Sequence, residues 1–202
     1  MYNNFKRYEK PINNLDIGKL NIIKSWLHEM NVVNYTINDD YTIDVKSDVN
    51  LTYKNLTKFP DFIKFNIIKG SFYCNHNKLK SLKGSPNIVN VSFFCNDNEL
   101  TSLNYGPIIV NSSYIAHNNK IRNLNGIPQH LNTFSCNNNL LTNLQEVPKI
   151  IYGDLYCQDN YLNNLHNIPT NVKGNLYINF KNNEYSIDDI RKVCYVEGNI
   201  YV

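Results

Sequence analysis

The side chains best equipped for chemistry are four regularly placed cysteines, Cys74, Cys95, Cys136 and Cys157, and a polar trio, His76, Asp97 and His117. Thiolates ligate zinc or cycle as dithiols when two of them sit a few residues apart, as in Cys-x-x-Cys. Here the cysteines recur at 21-residue steps or multiples close to that, so no such pair exists. Inward-facing thiols at that spacing read as small core hydrophobes. His76, Asp97 and His117 are a better start, because imidazole and carboxylate together hold metals or move protons. On three successive strands about 4.8 Å apart they would approach one another. His76 and His117 fall in different columns, however, and no fourth ligand or nucleophile accompanies the trio. Nothing resembles a phosphate loop, a nucleophile elbow or a paired-carboxylate site. The expectation is a chain without catalytic residues, metal or cofactor, and not an enzyme.

The elements that position these residues follow from a repeat. Asn77, Asn98, Asn119, Asn139 and Asn160 stand 21, 21, 20 and 21 residues apart. Three positions before each lies Cys74, Cys95, Ala116, Cys136 or Cys157. Two after it come Leu79, Leu100, Ile121, Leu141 and Leu162, and five after it Leu82, Leu103, Leu124, Leu144 and Leu165. Prolines follow at 86, 107, 128, 148 and 169, then Val89, Val110, Leu131, Ile151 and Val172. Phe72 with Cys74, and Phe93 with Cys95, alternate inward on a short strand that pairs with its counterpart in the next coil. The Asn column sits where the chain leaves that strand, and its stacked amides can satisfy backbone groups that would otherwise be buried unpaired. Proline fixes φ on the return stretch, which reads as extended and mostly irregular rather than helical.

A solenoid needs covered ends. Ile17, Leu20, Ile23, Trp26, Leu27 and Met30 share one helical face behind a possible N-cap, Asp16. Val33, Tyr35 and Ile37 alternate, Asn38-Asp39-Asp40 turns, and Tyr41, Ile43 and Val45 alternate again, predicting a hairpin. Past the last coil, Ser186 caps a short helix with early acidic residues, and Asn199-Ile200-Tyr201-Val202 suggests a final strand. The fold expected is therefore α/β: an N-terminal helix and hairpin cap over 1–48, a solenoid of about 20–21 residues per repeat over 49–183, and a helical cap over 184–202.

Composition narrows the function classes. Of 202 residues 42% are hydrophobic and 18% charged, which favours folding over disorder. A net charge of +3 supplies no footprint for nucleic acid. The N-terminus has no apolar signal-peptide run and no stretch has the length of a membrane span. Five cysteines without such a signal point to a reducing, cytoplasmic setting.

The stretch from Gly70 to Pro86 and the run from Ile127 to Leu144 resemble the leucine-rich-repeat pattern L-x-x-L-x-L-x-x-N-x-L, with Cys in place of the third Leu. The short repeats of secreted bacterial effectors are similar, and leucine-rich-repeat proteins of bacteriophages and large DNA viruses more so, over about residues 49–183. The resemblance implies a binding scaffold, with a host protein as partner, in the host cytoplasm, and inhibition of a defence factor as its narrower form. Register puts a binding face on the strands. Tyr73, Phe94, Ile115, Ser135, Tyr156 and Tyr177 form an apolar stripe beside Asn75, Asn96, His117, Asn137, Gln158 and Asn179. Exposed aromatics of this kind are enriched at hot spots. Glycan or small-ligand binding, or architectural self-association, are the alternatives.

Overall fold

The computed structural model describes residues 16–182 and 185–202. Residues 1–15 of the expected N-terminal cap, and 183–184 at the expected C-terminal boundary, lie outside that range. The chain winds as a parallel β-solenoid of about seven turns. Its front is an eight-stranded ladder of Val49–Asn50, Phe72–Tyr73, Phe93–Phe94, Tyr114–Ile115, Phe134–Ser135, Leu155–Tyr156, Leu176–Tyr177 and Ile200–Tyr201. Every neighbouring pair is parallel and in register, Phe72 against Phe93 and Tyr73 against Phe94, and so along the stack. The first residue of each strand points in and the second out, as the period of two requires.

A second ladder turns the corner behind the front one. The hairpin Tyr35–Ile37 and Ile43–Val45 is antiparallel, and its second strand continues in parallel into Phe65–Ile68, Ile88–Val89 and Ile109–Val110. A single bridge joins Leu131 to Ile151, where Ile150–Ile151, Asn171–Val172 and Tyr195–Val196 resume the parallel pairing. The return side is thus more regular than a proline-marked stretch suggests. Each proline stands two residues or more ahead of the ladder, so its missing N–H falls outside the hydrogen bonds that pair coils. Only the third side, which carries the leucines, stays irregular.

The interior is one continuous cluster. The Cys and Ala column, the first leucine column and the Val89–Val172 column are all buried. Leu165 alone of its column is only partly covered. A file of rings runs through the centre from Trp26 by way of Phe65, Phe72, Phe93 and Tyr114 to Phe134. The asparagine column does what its position requires. Asn98 Nδ2 donates to the carbonyls of Cys74, Cys95 and Asn96, while its Oδ1 accepts from Leu79 N in the preceding coil. Asn77, Asn119, Asn139 and Asn160 repeat the pattern.

Helix α1 (Ile17–Glu29) has Asp16 as N-cap, accepting from Gly18 N and Lys19 N. It docks through Ile23, Trp26, Leu27 and Met30. Ile17, placed by periodicity on the buried face, is 73% exposed, because only the later turns of the helix meet the core. Val33 is exposed as well: Asn34 adopts a positive φ and breaks the alternation before Tyr35. Helix α2 (Ile187–Arg191) starts at Ser186 with a reciprocal capping box to Asp189 and anchors through Ile190.

Candidate functional site

The front face carries three parallel columns. The first holds the outward rings. Tyr73 and Phe94 stack at 4.7 Å with planes within 9°. Tyr156 and Tyr177 stack at 4.5 Å, and Tyr177 and Tyr201 at 4.4 Å. These spacings are those of neighbouring strands, so the ladder dictates the stacking. Tyr156 OH donates to Asp154 Oδ2 at 3.2 Å, which fixes the first ring. Partial burial, then the Asp154 carboxylate, push the Tyr156 phenol up from its ordinary pKa. Ile115 and Ser135 interrupt the rings. Ser135 keeps its outward register but is only 5% exposed, its hydroxyl donating to Asn137 Oδ1.

The second column is Thr52, Asn75, Asn96, His117, Asn137, Gln158 and Asn179. Most of it is half-buried, and Asn96 is 6% exposed, deeper than an outward position suggests. Its Nδ2 donates to Asp97 Oδ2, on the next residue of the same coil. Two acceptors of this column, Asn96 Oδ1 and Gln158 Oε1, are buried with no hydrogen-bond partner. Such groups are costly unless something supplies a donor.

The third column owes its composition to the backbone. Tyr53, His76, Asp97, Asn118, Asn138 and Asp159 all have φ between 52° and 57°, the left-handed region that Asn, Asp and His enter most readily. Their side chains then form a second ladder. Asn138 Nδ2 donates to Asn118 Oδ1, Asn118 Nδ2 donates to Asp97 Oδ1, and His76 Nδ1 lies 3.4 Å from Asp97 Oδ2. The His76 ring also stacks on Tyr53 at 4.5 Å. Phe180, next in this column by register, instead turns inward against Tyr185.

Of the polar trio, then, His76 and Asp97 meet while His117 stays one column away. Among the described residues no three His, Cys, Asp or Glu side chains gather as metal ligands. The four column cysteines are fully buried, and burial pushes their thiols far up. Cys194 is pushed up to about 11. No described helix is long and apolar enough to cross a membrane.

Register reasoning stopped short of Tyr201 and Tyr53. The signal for Tyr201 was present: Gly198-Asn-Ile-Tyr201 repeats Gly174-Asn-Leu-Tyr177 and Gly153-Asp-Leu-Tyr156. Comparison with known proteins finds no matching family model, no similar curated protein and no similar solved structure.

Proposed function

We propose that the chain is a non-enzymatic protein-interaction module of leucine-rich-repeat type, which engages a host protein through its front face. The observation that carries this reading is the Tyr156–Tyr177–Tyr201 stack, half-exposed, with its rings face to face and Tyr156 tied to Asp154. Rings already ordered lose little entropy on binding, and tyrosine offers apolar area with a polar tip. In this reading α1 with its hairpin, and α2, are the caps. Viral origin, a place in the host cytoplasm and inhibition of a defence factor rest on the repeat resemblance.

A glycan is the less favoured occupant. Sugars pack on ring faces, and here each internal face is taken by the next ring. The test is affinity capture from host-cell lysate with wild type and with the Tyr156→Ser/Tyr177→Ser double variant. Capture by wild type, lost in the variant while its circular dichroism is unchanged, supports the reading. Unchanged capture would move the site elsewhere, and a melting shift with oligosaccharides but no captured protein would replace it with glycan binding. Self-association in sedimentation, abolished by the same variant, would replace it with an architectural role.

A further inference from the structure

On the return side, away from the front face, a half-open cavity of about 440 Å³ lies among Phe59, Pro60, Ile63, Phe65, Tyr105 and Ile108. We propose that it is a second binding site, for a planar, largely apolar ring compound bearing one negative charge. Its volume falls within the range of small-molecule pockets, and its lining is mostly apolar with a few polar groups at the rim.

The residue that singles out this cavity is Tyr105. Each coil has a second left-handed position shortly before its proline: Gly84 (φ 98°), Tyr105 (66°), Gly126 (91°), Glu146 (75°) and Asn167 (63°). Glycine is the undemanding choice there, and a bulky aromatic is a conformational outlier. Strain of this kind persists where the surroundings hold it and tends to gather at ligand sites. Among the described residues two other tyrosines have positive φ, and both rings are engaged. Tyr41 accepts from Asp16 N through its hydroxyl and lies under Lys19 Nζ, while Tyr53 stacks on His76. The Tyr105 ring has no ring, cation or hydrogen-bond partner among the described residues and is 69% exposed. Both column neighbours, Gly84 and Gly126, also line the cavity and put no side chain beside it. Ile108, 67% exposed, completes an apolar wall that has nothing of its own to cover.

Charge specifies the ligand further. Lys64 and Lys83 stand on the rim, and Lys58 and Lys83 share the single carboxylate of Asp61 at 3.6 and 3.4 Å. Of the charged groups that line the cavity, two ammonium groups, Lys64 and Lys83, face the one carboxylate of Asp61, and one positive charge is left unmatched. An aromatic carboxylate or sulfonate supplies both the ring for Tyr105 and Ile108 and the missing charge.

Anilinonaphthalene sulfonate is the probe, titrated into the full chain and followed by fluorescence. One saturable site per chain is expected. Tyr105→Gly restores the residue type of the flanking coils, so its melting temperature is expected not to fall, while dye affinity drops roughly tenfold or more. Ile108→Ser is expected to weaken the dye too, and Tyr177→Ser, on the front face, to leave it unchanged. The proposal fails if Tyr105→Gly and Ile108→Ser both bind the dye as wild type does, or if Tyr177→Ser removes it. Equal affinity for uncharged anilinonaphthalene would overturn the assigned charge. None of these outcomes depends on partner capture by the front face.

Discussion

The rings of the front ladder form two rows separated by a single step along each strand. The inward row, Phe72, Phe93, Tyr114 and Phe134, is fully buried, and from Phe93 onward its rings meet edge-on at 5.0 to 6.0 Å. The outward rings stay half-exposed and lie face to face at 4.4 to 4.7 Å. An inward ring is enclosed on all sides and tilts to fill the space, where edge contacts are also electrostatically favoured. An outward ring has neighbours only along the ladder, so strand spacing imposes parallel stacking. Residues adjacent in sequence therefore divide the work: one row holds the coils together, and the other is left for a partner.

The sharpest break of this comparison comes from the inward row. Phe93→Ala is expected to cost about 3–5 kcal/mol, the penalty of a large core cavity, read as a fall in urea midpoint. Coils on both sides lose contacts, since Phe93 touches Phe72 and Tyr114. Next in size is the asparagine column that closes the strand exit. Asn98→Ala removes three donated bonds and one accepted bond, leaving buried main-chain groups unpaired. A loss of about 2–3 kcal/mol is expected. A cost below half a kcal/mol would mean that the column is decorative.

Much of this was legible in the sequence, for physical reasons that can be named. A 21-residue beat fixed the inward Cys and Leu columns and the Asn column, because each coil buries the same positions against the next. Period two then assigned Tyr73, Phe94, Tyr156 and Tyr177 to the outside, which the strand register matches. The second ladder was hidden because strands such as Ile88–Val89 turn only one side chain inward, whereas a front strand is followed by a second buried position, Cys74 after Phe72. Tyr201 escaped because α2 stretches that coil and breaks the beat, although Tyr201 still pairs with Tyr177. The burial of Asn96 and Ser135 depends on neighbours from adjacent coils, which a single strand pattern does not contain. Tyr105 was hidden for the opposite reason: a left-handed column is recognisable by its glycines, and Tyr, Glu and Asn stand in three of its five places.

Two smaller effects sharpen the comparison. Tyr114 carries the one hydroxyl in an inward row otherwise made of phenylalanine, and that oxygen is buried with no hydrogen-bond partner. Tyr114→Phe removes an unsatisfied polar group at little cost in packing, so a gain of about 1 kcal/mol is expected. Phe94→Ser, one residue from the costly Phe93, is expected to lose less than about 1 kcal/mol, the scale of a cross-strand pair. Equal costs at Phe93 and Phe94 in a urea titration would erase the distinction between the rows.

Alkaline titration separates the rows by how their phenols ionise. Burial pushes the Tyr114 phenol well above its ordinary value. Tyr156 is raised by partial burial and by Asp154, and Tyr177 by desolvation and by Tyr201. For all three the folded state favours the neutral phenol. The stability this gives is complete below the unfolded pKa of about 10 and is lost as pH rises past it towards the folded value. The rows differ in how that loss occurs. Tyr156 and Tyr177 reach solvent, so their phenolate absorbance is expected to rise late but reversibly while the circular dichroism of the fold persists. Tyr114 has no route to solvent, so its ionisation is expected only in step with unfolding, and Tyr114→Phe should remove one tyrosine's absorbance from that step alone. A Tyr114 signal that titrates within the intact fold would show that the inward row opens on its own. The two rows would then differ in degree of exposure and not in kind.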